Sequence, residues 1–147
     1  MATRYENQSN LDREDKAIKL WTKNMKESEV EKLGDNDIDF RVYSHNSDTY
    51  AYVEVKGRHR DIVNAFPLPI AARKIVKIHD LLKNDDDTAK AFVIWACDDG
   101  IISGNIEDLI GEAKIGGRSH REGSANDCEV MIYYKEQTPL VITMYPQ

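Results

Sequence analysis

Asp39, Glu54 and Lys56 have the residue types and spacing needed for metal-assisted chemistry on phosphates. Side chains two apart on a strand share a face, so Glu54 and Lys56 point to the same side of a predicted strand. Two carboxylates supply the hard oxygen ligands that Mg²⁺ prefers, and a backbone carbonyl could join them and leave room for water and a phosphate oxygen. A neighbouring lysine could orient a metal-bound water or stabilise charge that develops on the phosphate.

The two strands that carry these residues align in one register. Placing Asp39 opposite Glu54 brings apolar side chains together on one face, and a shift of one residue would destroy that match. The pairs that this register predicts are Ile38 with Val55, Phe40 with Val53, Val42 with Ala51, and Tyr43 with Tyr50. The hydrophobic pattern therefore supports the convergence of two carboxylates and one ammonium without any functional assumption.

A third carboxylate, Glu14, lies in the predicted first helix. This helix begins near Asn10, a favourable N-cap, and ends at the stop signals of residues 34–37. Its apolar stripe consists of Leu11, Ile18, Trp21 and Met25. Glu14 occupies an inward position on this stripe, where a carboxylate needs a partner such as a metal or a buried lysine or arginine. A salt-bridge ladder on the surface is the alternative explanation for the acidic and basic residues.

The remaining predicted elements surround these strands. They are a helix at about 67–82, strands at 91–97 and 101–103, a short helix at 106–113, a polar loop at 116–126, and a closing hairpin of 130–134 with 140–144. The apolar run 91–97 is typical of a strand covered on both faces. The order α-β-β-α-β-β-β predicts an α/β fold with a mixed central β-sheet flanked by helices.

The composition is that of a soluble globular chain. The 147 residues include 41% hydrophobic and 31% charged residues and carry a formal net charge of −6. We expect one domain over residues 1–147, located in the cytoplasm, because no apolar run approaches the roughly 18 residues of a membrane span and no signal peptide is visible. Cys97 and Cys128 lack metal-binding spacing, and Cys97, within an apolar run, is expected to be a buried free thiol.

Basic residues could form a local surface for phosphate although the acidic balance provides no general field for nucleic acid. Arg58 and Arg60 follow the candidate strand, and Lys74 lies on the predicted second helix. Arg118 and Arg121 lie in the polar loop. Contacts to backbone phosphate are one interpretation of these residues, and a solvated charged face is the other.

The motifs resemble the PD-(D/E)XK nuclease superfamily, which has the restriction-endonuclease-like fold. Asp39 is followed, after 14 residues, by Glu54, Val55 and Lys56. Further segments resemble a group of small phage and prophage proteins of this superfamily, from about residue 4 to residue 134. These segments are residues 4–7, 11–14, 38–40, 53–58 and 115–118, with Arg121, Asp127 and Glu129. Residues 65–70 depart from the Tyr and Ser that the group favours there, and no proline precedes Asp39.

The resemblance implies roles for individual residues. Asp39 and Glu54 would be metal ligands with the Val55 carbonyl as a third, and Lys56 would position the attacking water. Glu14 would match the acidic residue that many such nucleases carry on their first helix. The implied cofactor is Mg²⁺, with Mn²⁺ as a substitute.

The implied activity is endonucleolytic hydrolysis of DNA phosphodiester bonds. DNA is then the expected partner and a membrane is not, and a phage-encoded chain would act in the cytoplasm of the host cell. Chains this small in this fold often form homodimers to cut both strands, and the sequence itself does not establish a dimer. Two alternatives stay open. One is a catalytically silent module of phage origin that binds DNA or a host protein on the same fold, and the other is a metal-free structural subunit in which Glu14 pairs with Lys56.

Overall fold

In a computed structural model that describes residues 8–23, 25, 28–33, 38–44, 49–83, 89–116 and 129–147, one helix is followed by four strands and a second helix by five strands. Within these ranges the elements are α1 Gln8–Thr22, β1 Ser28–Lys32, β2 Phe40–Ser44, β3 Thr49–Gly57, β4 Leu68–Ala71, α2 Ala72–Lys83, β5 Lys90–Ala96, β6 Gly100–Asn105, β7 Glu112–Gly116, β8 Glu129–Tyr134 and β9 Val141–Met144. Short 3₁₀ turns occupy Ile62–Asn64 and Ile106–Asp108. No helix of the described residues has the length and apolar character needed to cross a membrane.

The strands form a six-stranded sheet and a three-stranded sheet. The larger sheet has the order β1-β2-β3-β5-β6-β9, and the smaller has the order β4-β8-β7. The pair of β3 with β5 is parallel, whereas the other pairs of the larger sheet are antiparallel. The predicted α/β class with a mixed central sheet is confirmed, and it is consistent with a restriction-endonuclease-like fold.

The two helices pack against opposite faces of the larger sheet. Ala17 and Ile18 of α1 belong to one buried cluster, which includes Val53 and Val55 of β3. Ile78 of α2 belongs to a second cluster with Trp95 of β5 and Tyr134 of the smaller sheet. Because successive side chains of β3 alternate between the two faces, Tyr52, Glu54 and Lys56 point to the face that carries α2.

The core around β5 agrees with the sequence prediction. Trp95 is fully buried, and its indole N–H donates a hydrogen bond of 2.7 Å to the carbonyl oxygen of Pro69. Cys97 is a buried free cysteine, as expected, and burial raises the pKa of its thiol to about 11. Cys128 lies outside the described residues.

The predicted register of β2 with β3 is confirmed at two of its pairs. Phe40 lies opposite Val53, and Val42 lies opposite Ala51. The predicted pair of Tyr43 with Tyr50 is wrong, because a register shift after Val42 brings Tyr43 opposite Thr49. Such a bulge adds one residue to a strand and increases its local twist.

The first helix is shorter than predicted. It begins at Gln8 rather than near Asn10, and it ends at Thr22. Residues 28–32, which were expected to continue the helix, form β1 and pair with β2, so that Val30 lies opposite Val42. Tertiary pairing therefore outweighs the helical propensity of the Glu and Lys residues in this segment.

The predicted helix at 67–82 is a strand followed by a helix. Residues 68–71 form β4, and α2 begins only at Ala72. Pro69 is tolerated in β4 because this strand lies at the edge of its sheet, where one side needs no backbone donor.

The C-terminal part also differs from the prediction. Residues 106–113 form one 3₁₀ turn and the start of β7 instead of a short helix. The closing hairpin is wrong, because β8 pairs with β4 and β7 while β9 pairs with β6. The predicted segments therefore lacked β1, β4 and β7, and the last two of these belong to the smaller sheet.

Candidate active site

The carboxyl groups of Asp39 and Glu54 lie together where β2 begins beside β3. The backbone N–H of Asp39 donates to Oε1 of Glu54 at 3.3 Å, and the backbone N–H of Val55 donates to Oδ2 of Asp39 at 2.8 Å. The pair is thus fixed by the main chain of both segments.

The position of the Asp39 carboxylate depends on where the backbone pairing of β2 with β3 ends. β2 begins at Phe40, opposite Val53, so β3 continues beyond its last backbone partner on that side. The Asp39 carboxylate takes the place of that partner at the Val55 N–H. Because the N–H and C=O of one strand residue point in the same direction, the Val55 carbonyl faces the side on which the Asp39 carboxylate lies.

Burial makes it unfavourable for the carboxyl groups of Asp39 and Glu54 to carry negative charge. Glu54 is only 6% exposed, and burial, followed by the negative charge of Asp39, raises its pKa to about 8. Burial also raises the pKa of Asp39, although the hydrogen bond from Val55 and the positive charges of Lys74 and Lys32 act in the opposite direction. At neutral pH the pair therefore retains a proton, which is the behaviour of two carboxyl groups that need a cation before both can ionise.

Two lysines lie close to these carboxyl groups. Nζ of Lys74, in the first turn of α2, is 3.5 Å from Oε2 of Glu54. Lys32, the last residue of β1, acts on the pKa of Asp39 and lies next to Leu33, whose N–H donates to the Asp39 carbonyl oxygen at 2.9 Å. Lys56 is exposed and lies on the same face of β3 as Glu54.

Glu14 is placed on the other side of the larger sheet. α1 packs on the face opposite to α2, and Oε2 of Glu14 is 3.5 Å from Nζ of Lys32. Glu14 therefore does not share a face with Glu54. The metal-free alternative requires Glu14 to pair with Lys56. The structure instead pairs Glu14 with Lys32, whose positive charge also acts on Asp39.

A family model described as "Phage putative PDDEXK endonuclease" matches residues 1–138, which is most of the chain. The chain belongs to this phage PDDEXK endonuclease family. The comparison with curated proteins and the comparison with solved structures each give no match. Membership of a nuclease family implies DNA as the substrate, and the Asp39, Glu54 and Lys56 constellation resembles the PD-(D/E)XK motif.

The donor set of this PDDEXK chain fits a hard divalent cation. In the described part of the chain no group of three or more His, Cys, Asp or Glu side chains is placed to hold a metal ion. Two carboxylates and the Val55 carbonyl are a smaller set, but they are all oxygen donors, and Mg²⁺ commonly binds to one or two carboxylates and keeps several waters. The pKa of Glu54, which burial and then the charge of Asp39 raise, is the second observation in favour, because a cation would offset both effects.

The basic residues of the predicted phosphate surface have different surroundings. Nε of Arg58 donates to the carbonyl oxygen of Ala65 at 2.9 Å, and its NH2 group donates to that of Pro67 at 3.4 Å, so this guanidinium holds the loop before β4. Arg60 is exposed beside it. Burial, and then the charge of Arg60, lowers the pKa of Arg58. Arg118 and Arg121 lie outside the described residues.

Sequence reasoning missed the contribution of Lys32 and the position of Lys74. Lys32 could not be found, because its segment was expected to be helical. Lys74 was expected on a surface for phosphate, but it lies four residues before the buried Ile78, and residues four apart share a helix face. That spacing is the signal that places Lys74 on the inner face of α2.

Proposed function

We propose that this chain is a Mg²⁺-dependent DNA endonuclease, with Mn²⁺ as a substitute metal. Asp39, Glu54 and the Val55 carbonyl are the proposed metal ligands, and Lys56 is the proposed residue that positions the attacking water. The pair of half-buried Asp39 with buried Glu54 carries the proposal, because two carboxyl groups held by main-chain hydrogen bonds at a strand edge need a cation to ionise together. Family membership supports the reaction class.

The residues of the chain have separate tasks in this proposal. A bound divalent cation supplies Lewis-acid activation of water and neutralises charge on the phosphate. Asp39 and Glu54 hold that cation without rearrangement of the strands, because their oxygens are already fixed by the N–H groups of Val55 and Asp39. Lys56 is exposed, so its ammonium can reach both a water and a phosphate oxygen of DNA that approaches the α2 face.

The test is cleavage of plasmid and branched DNA in Mg²⁺, in Mn²⁺ and in excess EDTA. We expect cleavage only with metal, and a loss of at least about 100-fold in Asp39→Asn and in Lys56→Ala, since these variants remove a ligand and a positioned ammonium. Lys135→Ala is the matched control, because Lys135 is an exposed lysine outside the site. Cleavage that is equal in all three variants would refute the assignment.

The same experiment separates this function from a silent binding module. A silent module would bind branched DNA in every variant. It would cut none of duplex, flap, four-way junction or single-stranded DNA in either metal. A homodimer is part of the proposal only for cleavage of both strands, and sedimentation of the protein with and without DNA measures it directly.

A further inference from the structure

Lys74 is enclosed against the carboxyl pair. Its Nζ is 3.5 Å from Oε2 of Glu54, and the exposed fractions of the two side chains are 19% and 8%. The positive charge of Lys74 also acts on Asp39 and lowers the pKa of that carboxyl group. A single ammonium from α2 thus neutralises part of the charge of both proposed metal ligands.

The other basic residues of α2 do not share this position. Arg73 forms an ion pair with Glu129 at 3.0 Å, and its side chain is 67% exposed. Lys77, one turn after Lys74, is exposed. Lys56 lies on the same sheet face as Glu54 but is exposed as well. Within the described ranges, Lys74 is therefore the lysine that the fold directs onto Glu54.

A divalent cation and an ammonium cannot both stay close to one carboxylate oxygen without strong repulsion. At separations of about 4 Å, the interaction between charges in a partly buried site is several times stronger than in bulk water. A metal that binds to Oε2 of Glu54 therefore displaces Lys74 from that oxygen. Its flexible four-carbon side chain allows this movement, and an ammonium released beside the metal lies where a phosphate oxygen of DNA would approach.

We propose that Lys74 is a second functional lysine of this site with two positions. In the metal-free protein it lies against Oε2 of Glu54, and in the metal-loaded protein it contacts the phosphate that is cut. This inference rests on the proposed function, since it assigns Lys74 a task in the same site. It differs from the expected surface contact to DNA because it couples the position of Lys74 to occupation of the metal site.

The first test follows the reactivity of the Lys74 amine. The protein is acetylated briefly with a limiting amine reagent in excess EDTA or in Mg²⁺, without DNA, and the labelled peptides are quantified by mass spectrometry. We expect Lys74 to react less than Lys77 in EDTA, and its labelling to rise at least about 3-fold in Mg²⁺ while Lys77 is unchanged, because an amine in an ion pair is shielded. In Glu54→Gln, Lys74 should be reactive in both conditions.

Calorimetry with Mg²⁺ distinguishes the two ways of failing. Metal binding with unchanged labelling of Lys74 would overturn the inference and leave the proposed metal site intact. Absence of metal binding would overturn both the metal dependence of the proposed function and the inference that depends on it.

The second test uses cleavage at saturating metal. Lys74→Met should cut at least about 10-fold more slowly than the wild type, Lys74→Arg should recover part of the rate, and Lys77→Met should cut normally, because Lys74, unlike Lys77, contacts the phosphate in the loaded site. If Lys74 had a purely structural role, calorimetry would find weaker metal binding in Lys74→Met, and saturating metal would restore the cleavage rate of this variant. Cleavage by Lys74→Met that equals that of Lys77→Met would also refute the proposal.

Discussion

The charge of Glu54 should make the metal-free protein less stable as the pH rises. The pKa of this carboxyl group is raised from 4.5 to about 8 by burial and by Asp39. A group whose folded-state pKa lies above its unfolded-state value contributes stability that is fully present below the unfolded pKa and is lost as the pH rises through the folded pKa. The loss therefore extends from about pH 4.5 to about pH 8.

Glu54→Gln isolates this contribution. The neutral amide can still accept the N–H of Asp39, and it cannot ionise. Since one pKa unit corresponds to about 1.4 kcal/mol, the wild type should lose on the order of 3 kcal/mol relative to the variant between about pH 4 and pH 7, and somewhat more by about pH 9. We expect similar stabilities of the two proteins at about pH 5 and a clear advantage of Glu54→Gln at about pH 9.

Urea unfolding in excess EDTA at both pH values measures this difference. Glu136→Gln, which removes an exposed carboxylate, is the control and should change the free energy of unfolding by less than about 0.5 kcal/mol at either pH. Added Mg²⁺ should stabilise the wild type and not Glu54→Gln. An advantage of Glu54→Gln that does not depend on pH, or a variant that is less stable than the wild type at high pH, would refute the reasoning.

Three further predictions concern other residues and the metal itself. Arg58→Ala should lower the free energy of unfolding by about 1–2 kcal/mol, measured in urea, because Arg58 holds two backbone carbonyl oxygens; an unchanged stability would contradict this. Trp95→Phe should cost about 1–3 kcal/mol in the same assay, since it leaves the Pro69 carbonyl oxygen without its indole donor, and a loss below about 0.5 kcal/mol would show that another donor replaces it. Calorimetry should find that Mn²⁺ binds more tightly as the pH rises from about 6 to 8, because the proton retained by Glu54 competes with the metal, and an affinity that is constant with pH would exclude that competition.

The parts of the fold that the sequence predicts are those with a strong local pattern. β2 and β3 alternate apolar and polar residues, and one register brings Phe40 opposite Val53 and Val42 opposite Ala51, as the structure has them. The continuous apolar run of β5 is typical of a strand covered on both faces, and it lies at the centre of the sheet. The convergence of Asp39 with Glu54 follows from these local patterns.

The parts that the sequence does not predict depend on partners far along the chain. β1 consists of residues such as Glu29, Glu31 and Lys32 that favour helices, and only its pairing with β2 makes it a strand. β4 and β8 pair although about 60 residues separate them, and no local turn signals this pairing. The positions of Lys32 and Lys74 depend on these pairings, which explains why a correct prediction of the carboxylates did not include the lysines beside them.

The formal net charge of −6 describes the whole chain and not the surface that DNA would meet. At the site, Glu54 retains a proton at neutral pH, and Lys74 and Lys32 lie beside the two carboxylates, so the local charge is much less negative than the acidic residues alone indicate. Of the predicted basic surface, Arg58 is occupied by backbone carbonyls while Arg60 is exposed, and the catalytic candidate Lys56 is exposed as well. Among the described residues of that surface, Arg58 is not available to DNA, and attraction to DNA grows with the number of phosphates that are neutralised. A metal adds two positive charges at the carboxyl pair and, in the proposed two positions of Lys74, makes a third available to the phosphate. Binding of DNA is therefore expected to depend on occupation of the metal site more strongly than on the total charge of the protein.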